Sequence, residues 1–177
     1  MSITYLSQVA DAVLDAAVDA LAPATTGRAA ITSAYVTHAI PAINRCCDGG
    51  QITVHLENVE HGQQYAATRD MPQHGCGILH NPTFVITYAR CWPSFEAGGG
   101  DPTIEQWDTA AAELLEDLWA LLTELADRIG ACTLFPGMAA CDDAAILDAT
   151  PLEAQGACAG WVIRVNLTTN DSGPTGS

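Results

Sequence analysis

Residues 102–129 constrain the fold more than any other stretch, because their apolar positions repeat at helical spacing over seven turns. Ile104, Ala111, Leu118 and Leu125 are seven apart, with Trp107, Leu114 and Leu121 between them. At 3.6 residues per turn this makes one continuous apolar seam, about 40 Å long at ~1.5 Å per residue. Glu105, Asp108, Glu113, Glu116 and Glu124 fall on other faces. Asp101 is placed to cap the helix, Pro102 suits its first turn, and Gly130 is the expected stop. A lone helix of this size usually lies across a sheet, so a sheet is the next thing to look for.

Two firm strands supply it. In Gln51–Val59, Ile52, Val54 and Leu56 face one way and Thr53, His55 and Glu57 the other; the slip at Asn58-Val59 reads as a bulge. Asp48-Gly49-Gly50 gives the turn into it. Thr83–Cys91 is β-branched and aromatic on both faces, which predicts a central strand. A third strand is predicted over Gly160–Thr168, and a short one over Ala34–His38. The N-terminal stretch Ser2–Leu21 is a helix, with Leu6, Val9, Val13, Ala17 and Leu21 in one stripe and Asp11, Asp15 and Asp19 on another face. The connections 60–82 and 131–156 read as irregular. The expectation is one α+β domain over residues 1–168, a small antiparallel or mixed sheet with both helices against one side. Residues 169–177 form a polar tail with nothing to bury, expected to be disordered.

Charge narrows the function classes. The chain carries 21 acidic against 6 basic residues, a formal net charge of -15, and every basic residue is arginine. Binding nucleic acid or anionic lipid needs clustered Lys/Arg, and no such cluster exists. The plain meaning of the acidity is solubility; a functional meaning is a surface past which DNA slides without sticking. No signal-peptide pattern and no apolar run of about 20 residues is present, so the expected compartment is a cytoplasm. There an odd count of seven cysteines is expected to be mostly reduced, buried thiols. Disulfides among Cys132, Cys141, Cys158 and Cys46 or Cys47 remain open, and the sequence leaves their pairing unassigned.

Catalytic signatures are missing. There is no Gly-x-Ser-x-Gly elbow and no His-Glu-x-x-His. Gly98-Gly99-Gly100 precedes a helix as phosphate loops do, but lacks the Lys and Ser/Thr, and Asp101 and Glu105 repel anions. The one metal-like grouping is His74, Cys76 and His80, with Cys91 or Cys46-Cys47 to complete it. Its spacing matches no standard zinc pattern, so the expectation is a non-enzyme without a cofactor, a small zinc domain being the alternative.

Three stretches together carry a resemblance. They are Cys46-Cys47-Asp48-Gly49-Gly50-Gln51-Ile52-Thr53-Val54; Tyr88-Ala89-Arg90-Cys91-Trp92-Pro93 with Asp101-Pro102-Thr103 and the long helix; and Gly156-Ala157-Cys158-Ala159-Gly160-Trp161 with its strand. Over residues 1–168 this layout resembles the neck proteins of long-tailed phages infecting actinobacteria, most of all their tail terminators. The resemblance implies a structural virion protein, made in the host cytoplasm, forming a ring, usually a hexamer, on the head-proximal end of the tail tube. Its partners would be other copies, the tail tube protein and the head-completion or stopper protein; the neighbouring head-to-tail stopper is the alternative role. DNA would pass through the ring without sequence-specific binding, and no membrane is involved. Asp11, Asp15, Asp19, Glu57 and Glu60 become candidates for the lumen or rim, and Trp92, Phe95 and Trp161 for anchors between copies. Nothing in the family matches the His and Cys content of residues 60–82.

Overall fold

The structure is a computed structural model that describes residues 3–63, 78–94, 101–131, 133–134, 144–167 and 169–170. The chain runs α1 (Ile3–Ala20), α2 (Pro23–Thr26), β1 (Ser33–Thr37), β2 (Gln51–Gln63), β3 (Ile78–Cys91), α3 (Ile104–Gly130), β4 (Ala144–Gln155), β5 (Cys158–Leu167) and β6 (Thr169–Asn170). The sheet order is β1-β2-β3-β5-β4, with β6 added to β3. β1 runs parallel to β2 and every other pairing is antiparallel, so the sheet is mixed and the fold is α+β.

One face of the sheet carries the main core. Ile52 and Val54 of β2, Phe84, Ile86 and Tyr88 of β3, and Ile163 and Val165 of β5 pack under both helices. Alternation along each strand puts these residues on one side. α1 contributes Val9, Val13, Ala16 and Ala17, with Leu21 just after its end, and α3 contributes Leu114, Leu121 and Leu125. The close approach of β5 to β3 depends on Gly160: a Cβ there would lie 1.8 Å from the Tyr88 carbonyl oxygen.

The expected elements hold with four corrections. The cap of α3 is Thr103, not Asp101: its hydroxyl accepts from the Gln106 N–H while the Gln106 side chain accepts from the Thr103 N–H. This reciprocal pair satisfies two free helix-end donors, which a carboxylate two residues upstream does not reach. The seam of α3 splits. Leu114, Leu121 and Leu125 are buried, but Ile104 is 79% exposed and Trp107 41%. The connection after β2 is shorter than expected, because β2 and β3 extend as a paired ribbon through Gly62↔Leu79 and Gln63↔Ile78. Within it Pro82 is tolerated because it sits beside the bulge at Glu57, where the ladder is already interrupted. Finally, residues 144–155 are not irregular but an edge strand, and Thr169-Asn170 pair with β3 instead of starting a free tail.

The other face of the sheet is covered by the segment between β1 and β2. Fully buried Gln51 anchors it: its amide donates to the Ala42 carbonyl (2.9 Å) and the Tyr35 hydroxyl (3.1 Å), and accepts from the Asn44 and Arg45 N–H groups. Gly49 and Gly50, at φ 106° and 115°, make the turn that side chains with a Cβ resist. Among the described residues no helix is long and apolar enough to cross a membrane.

Candidate functional site

The feature least explained by the fold of a lone chain is an apolar flank on α3. The helix buries one face, yet Leu115 is 57% exposed and Trp119 71%, four residues apart and one above the other. Leu118 and Leu122 join them around a shallow open cleft of about 460 Å³, with Glu116 at its border. Ile104 lies on the same flank three turns earlier. A contiguous apolar patch on an otherwise acidic protein is the mark of a contact surface.

The sheet edges compete poorly for that role. β4 is the long open edge, but it is broken by bulges at Ile146/Asp148 and Leu152/Gln155. It also carries Pro151 and the acidic Asp148 and Glu153. These devices blunt an edge against pairing with another strand.

Beneath the flank, α3 is locked to the sheet by an ionic network. Asp117 is fully buried and accepts from Arg28, from the Tyr88 hydroxyl and from Arg90 Nε at 2.9 Å. Arg28 also reaches Glu116, and Arg90 Nη1 donates to the Gly49 carbonyl at 2.7 Å. Burial, then the neighbouring Asp117 carboxylate, push the Tyr88 phenol well above its ordinary range, so it stays protonated and donating. Sequence reasoning missed Asp117: its partners are 89, 29 and 27 positions away. The one available signal was an acidic residue next to the inward face of the helix.

The carboxylate candidates separate. Asp11 and Asp15 are exposed on α1 and Glu60 is exposed on β2. Asp19 is held by Arg128 at 2.6 Å, tying α1 to α3, and Glu57 is held by Arg164 at 3.1 Å. Among the described arginines, Arg28, Arg90, Arg128 and Arg164 all pair with carboxylates; Arg45 has no such partner. The free negative field therefore comes from Asp11, Asp15 and Glu60 more than from the other two.

The aromatic candidates are less available than the sequence implied. Trp161 is half-buried against the core, its indole N–H donating to the Leu114 carbonyl at 2.9 Å, and Trp92 is also half-buried against the core. Phe95 lies outside the described residues. The exposed anchor on α3 is instead Trp119, a residue the heptad reading passed over because 119 is off the 104–125 repeat.

On the helix-free face, His38, Ile40, His55, Val85, Leu152 and Arg164 line a pocket of about 430 Å³. His55 Nδ1, at this pocket, and Thr53 Oγ1, two residues before it on β2, are buried without hydrogen-bond partners. Burial lowers the His55 pKa; Glu57 opposes the shift and Arg164 adds to it.

Half of the zinc grouping falls outside what the structure describes. His74 and Cys76 lie outside the described residues, and His80 sits on β3 opposite His61. Cys91 has no thiolate to offer, because it is bridged to Cys47, while Cys46 is bridged to Cys158. These two bridges also correct the expectation of reduced thiols at these four positions. The reason is topological: the β3–β5 register sets Cys91 opposite Cys158, and the turn before β2 brings Cys46-Cys47 to them. In this oxidised state no group of three or more His, Cys, Asp or Glu among the described residues is arranged to hold a metal ion.

Compared with known proteins, the chain matches no family model and no curated sequence.

Proposed function

We propose that this chain is a structural assembly protein that closes into a ring of its own copies, acting as a tail terminator in the neck of a long-tailed phage. The observation that carries the reading is the apolar flank of α3, where Leu115 and Trp119 stand open to solvent on a chain of net charge -15. Like-charged copies repel one another, so whatever joins them must come from a surface that is apolar and nearly charge-free. The flank is such a surface. It lies on a helix braced against the sheet by Asp117, so little order is lost when it is covered. The sequence's resemblance to tail terminators supports the specific role, in which the ring sits on the last ring of the tube and presents a surface to head-completion proteins.

In this role Asp11, Asp15 and Glu60 face the channel or its rim. Unpaired carboxylates there repel phosphate, so DNA passes without being held. The work is done by shape and repulsion, with no bond made or broken.

A tube-growth assay tests the role. Purified chain added to polymerising tail tube protein should halt elongation at substoichiometric amounts and remain at one end. Tubes that lengthen at the same rate with the chain present would remove the terminator reading.

A further inference from the structure

Four cysteine side chains arrive from three separate places: Cys46 and Cys47 from the turn before β2, Cys91 from the end of β3, Cys158 from the start of β5. Adjacent residues ordinarily point apart. Here both Cys46 Sγ and Cys47 Sγ lie 3.7 Å from the Ala157 carbonyl oxygen and 3.7 Å from each other, though they are not bonded together. Each is bridged to one member of the facing pair Cys91 and Cys158. The four sulfurs therefore occupy one compact cluster.

That cluster has the dimensions of a metal site. A tetrahedral zinc ion with four thiolates at ~2.3 Å sets neighbouring sulfurs about 3.8 Å apart. The non-bonded separation of Cys46 and Cys47 already matches it. We propose that the reduced chain holds one zinc ion on Cys46, Cys47, Cys91 and Cys158, and that the two disulfides are the oxidised, metal-free form of the same site.

The interconversion balances with ordinary thiol chemistry. Two equivalents of a dithiol, each giving two electrons and two protons, open both bridges to four thiols and are themselves oxidised to disulfides. Zinc then binds four thiolates as four protons leave, and the site carries a net charge of 2−. In the other direction, two equivalents of peroxide remove four electrons from the four thiolates, take up four protons from solvent and are reduced to four waters, while both bridges re-form and the ion is released. The ion has a way in, because exposed Cys47 and Cys91 stand on the wall of an open cavity of about 1090 Å³ beside Trp92 and Thr103. Cys46 and Cys158 are buried and close the inner side.

The consequence is a staple that survives a change of compartment. The segment over the helix-free face is pinned to β3 and β5 by disulfides when oxidised and by the metal when reduced. A reducing cytoplasm would otherwise leave Gln51 as its main tether.

The test is elemental analysis of the full chain, produced with zinc in the medium and purified under a non-chelating phosphine reductant. We expect one zinc per chain, a red-shifted cobalt–thiolate spectrum after exchange, and zinc release on peroxide treatment in step with the loss of four thiols. Cys91→Ser and Cys158→Ser should each lower zinc retention at least tenfold. Should either variant fail to fold, the wild-type zinc content and cobalt spectrum decide alone. Reduced, folded chain with freely titrating thiols and no zinc overturns the proposal. So does zinc that persists when all four cysteines are replaced, since the ion would then sit elsewhere.

Discussion

Asp117 takes three hydrogen bonds, one from Arg28 after α2 and two from Tyr88 and Arg90 on β3, and its burial leaves no water to replace any of them. Removing its charge leaves Arg90 without a carboxylate in a partly buried place and Arg28 with Glu116 alone, and Arg90 Nη2 already lacks a partner. Breaking a buried pair from one side costs about 3–5 kcal/mol. Asp117→Asn should therefore lower the free energy of unfolding by about that much, measured from urea denaturation at neutral pH; a loss under about 1 kcal/mol would show the network to be dispensable. His55 behaves differently. Its folded pKa lies below the unfolded value of ~6.5, so the folded state binds fewer protons in the window beneath that value. Its contribution is fully present above about pH 6.5 and is lost as pH falls through the folded pKa. His55→Gln should flatten the fall in urea midpoint as pH drops below about 6.5; identical slopes for the two proteins would refute it.

At the scale of elements, the sequence made α1, α3 and most of β2, β3 and β5 legible, because the helices, β5 and the first half of β2 carry a period of 3.6 or 2 and β3 is β-branched and aromatic on both faces. β4 was hidden for a physical reason. Its two bulges shift the alternation at Ile146/Asp148 and Leu152/Gln155, and Pro151 reads as a breaker, so no six-residue window alternates cleanly. The α3 seam was read as one stripe, but its first turns are left uncovered at Ile104 and Trp107. The cysteine cluster depends on the β3–β5 register, which no local pattern encodes. The candidate site was least legible of all. Leu115 and Trp119 look like ordinary helix residues until the fold shows which flank stays open. Substituting an exposed helix residue away from the core usually changes stability by no more than about 0.5 kcal/mol. Leu115→Glu with Trp119→Glu should therefore leave the urea midpoint nearly unchanged while removing association. A large stability loss would mean the flank belongs to the fold of the single chain.

For the whole molecule the two dominant facts are the excess of carboxylates and the small charge-free area that interrupts it. Four of the described arginines are committed to intramolecular pairs, and none of the six basic residues is a lysine, so few cations are left to bridge copies. In the ring proposed above, association is apolar in origin and resisted by repulsion, and salt should strengthen it by screening. A contact between the α3 flank and a different surface of the next copy is head-to-tail, and such contacts close into rings when the rotation permits. Native mass spectrometry of the full chain across salt concentration, beside the Leu115→Glu/Trp119→Glu variant, addresses this directly. The account predicts one closed oligomer of defined copy number for the wild type, favoured by salt, and a folded monomer for the variant. A wild type that stays monomeric at every concentration and salt, alone and with tail tube protein, or a variant that assembles as well as the wild type, would contradict it.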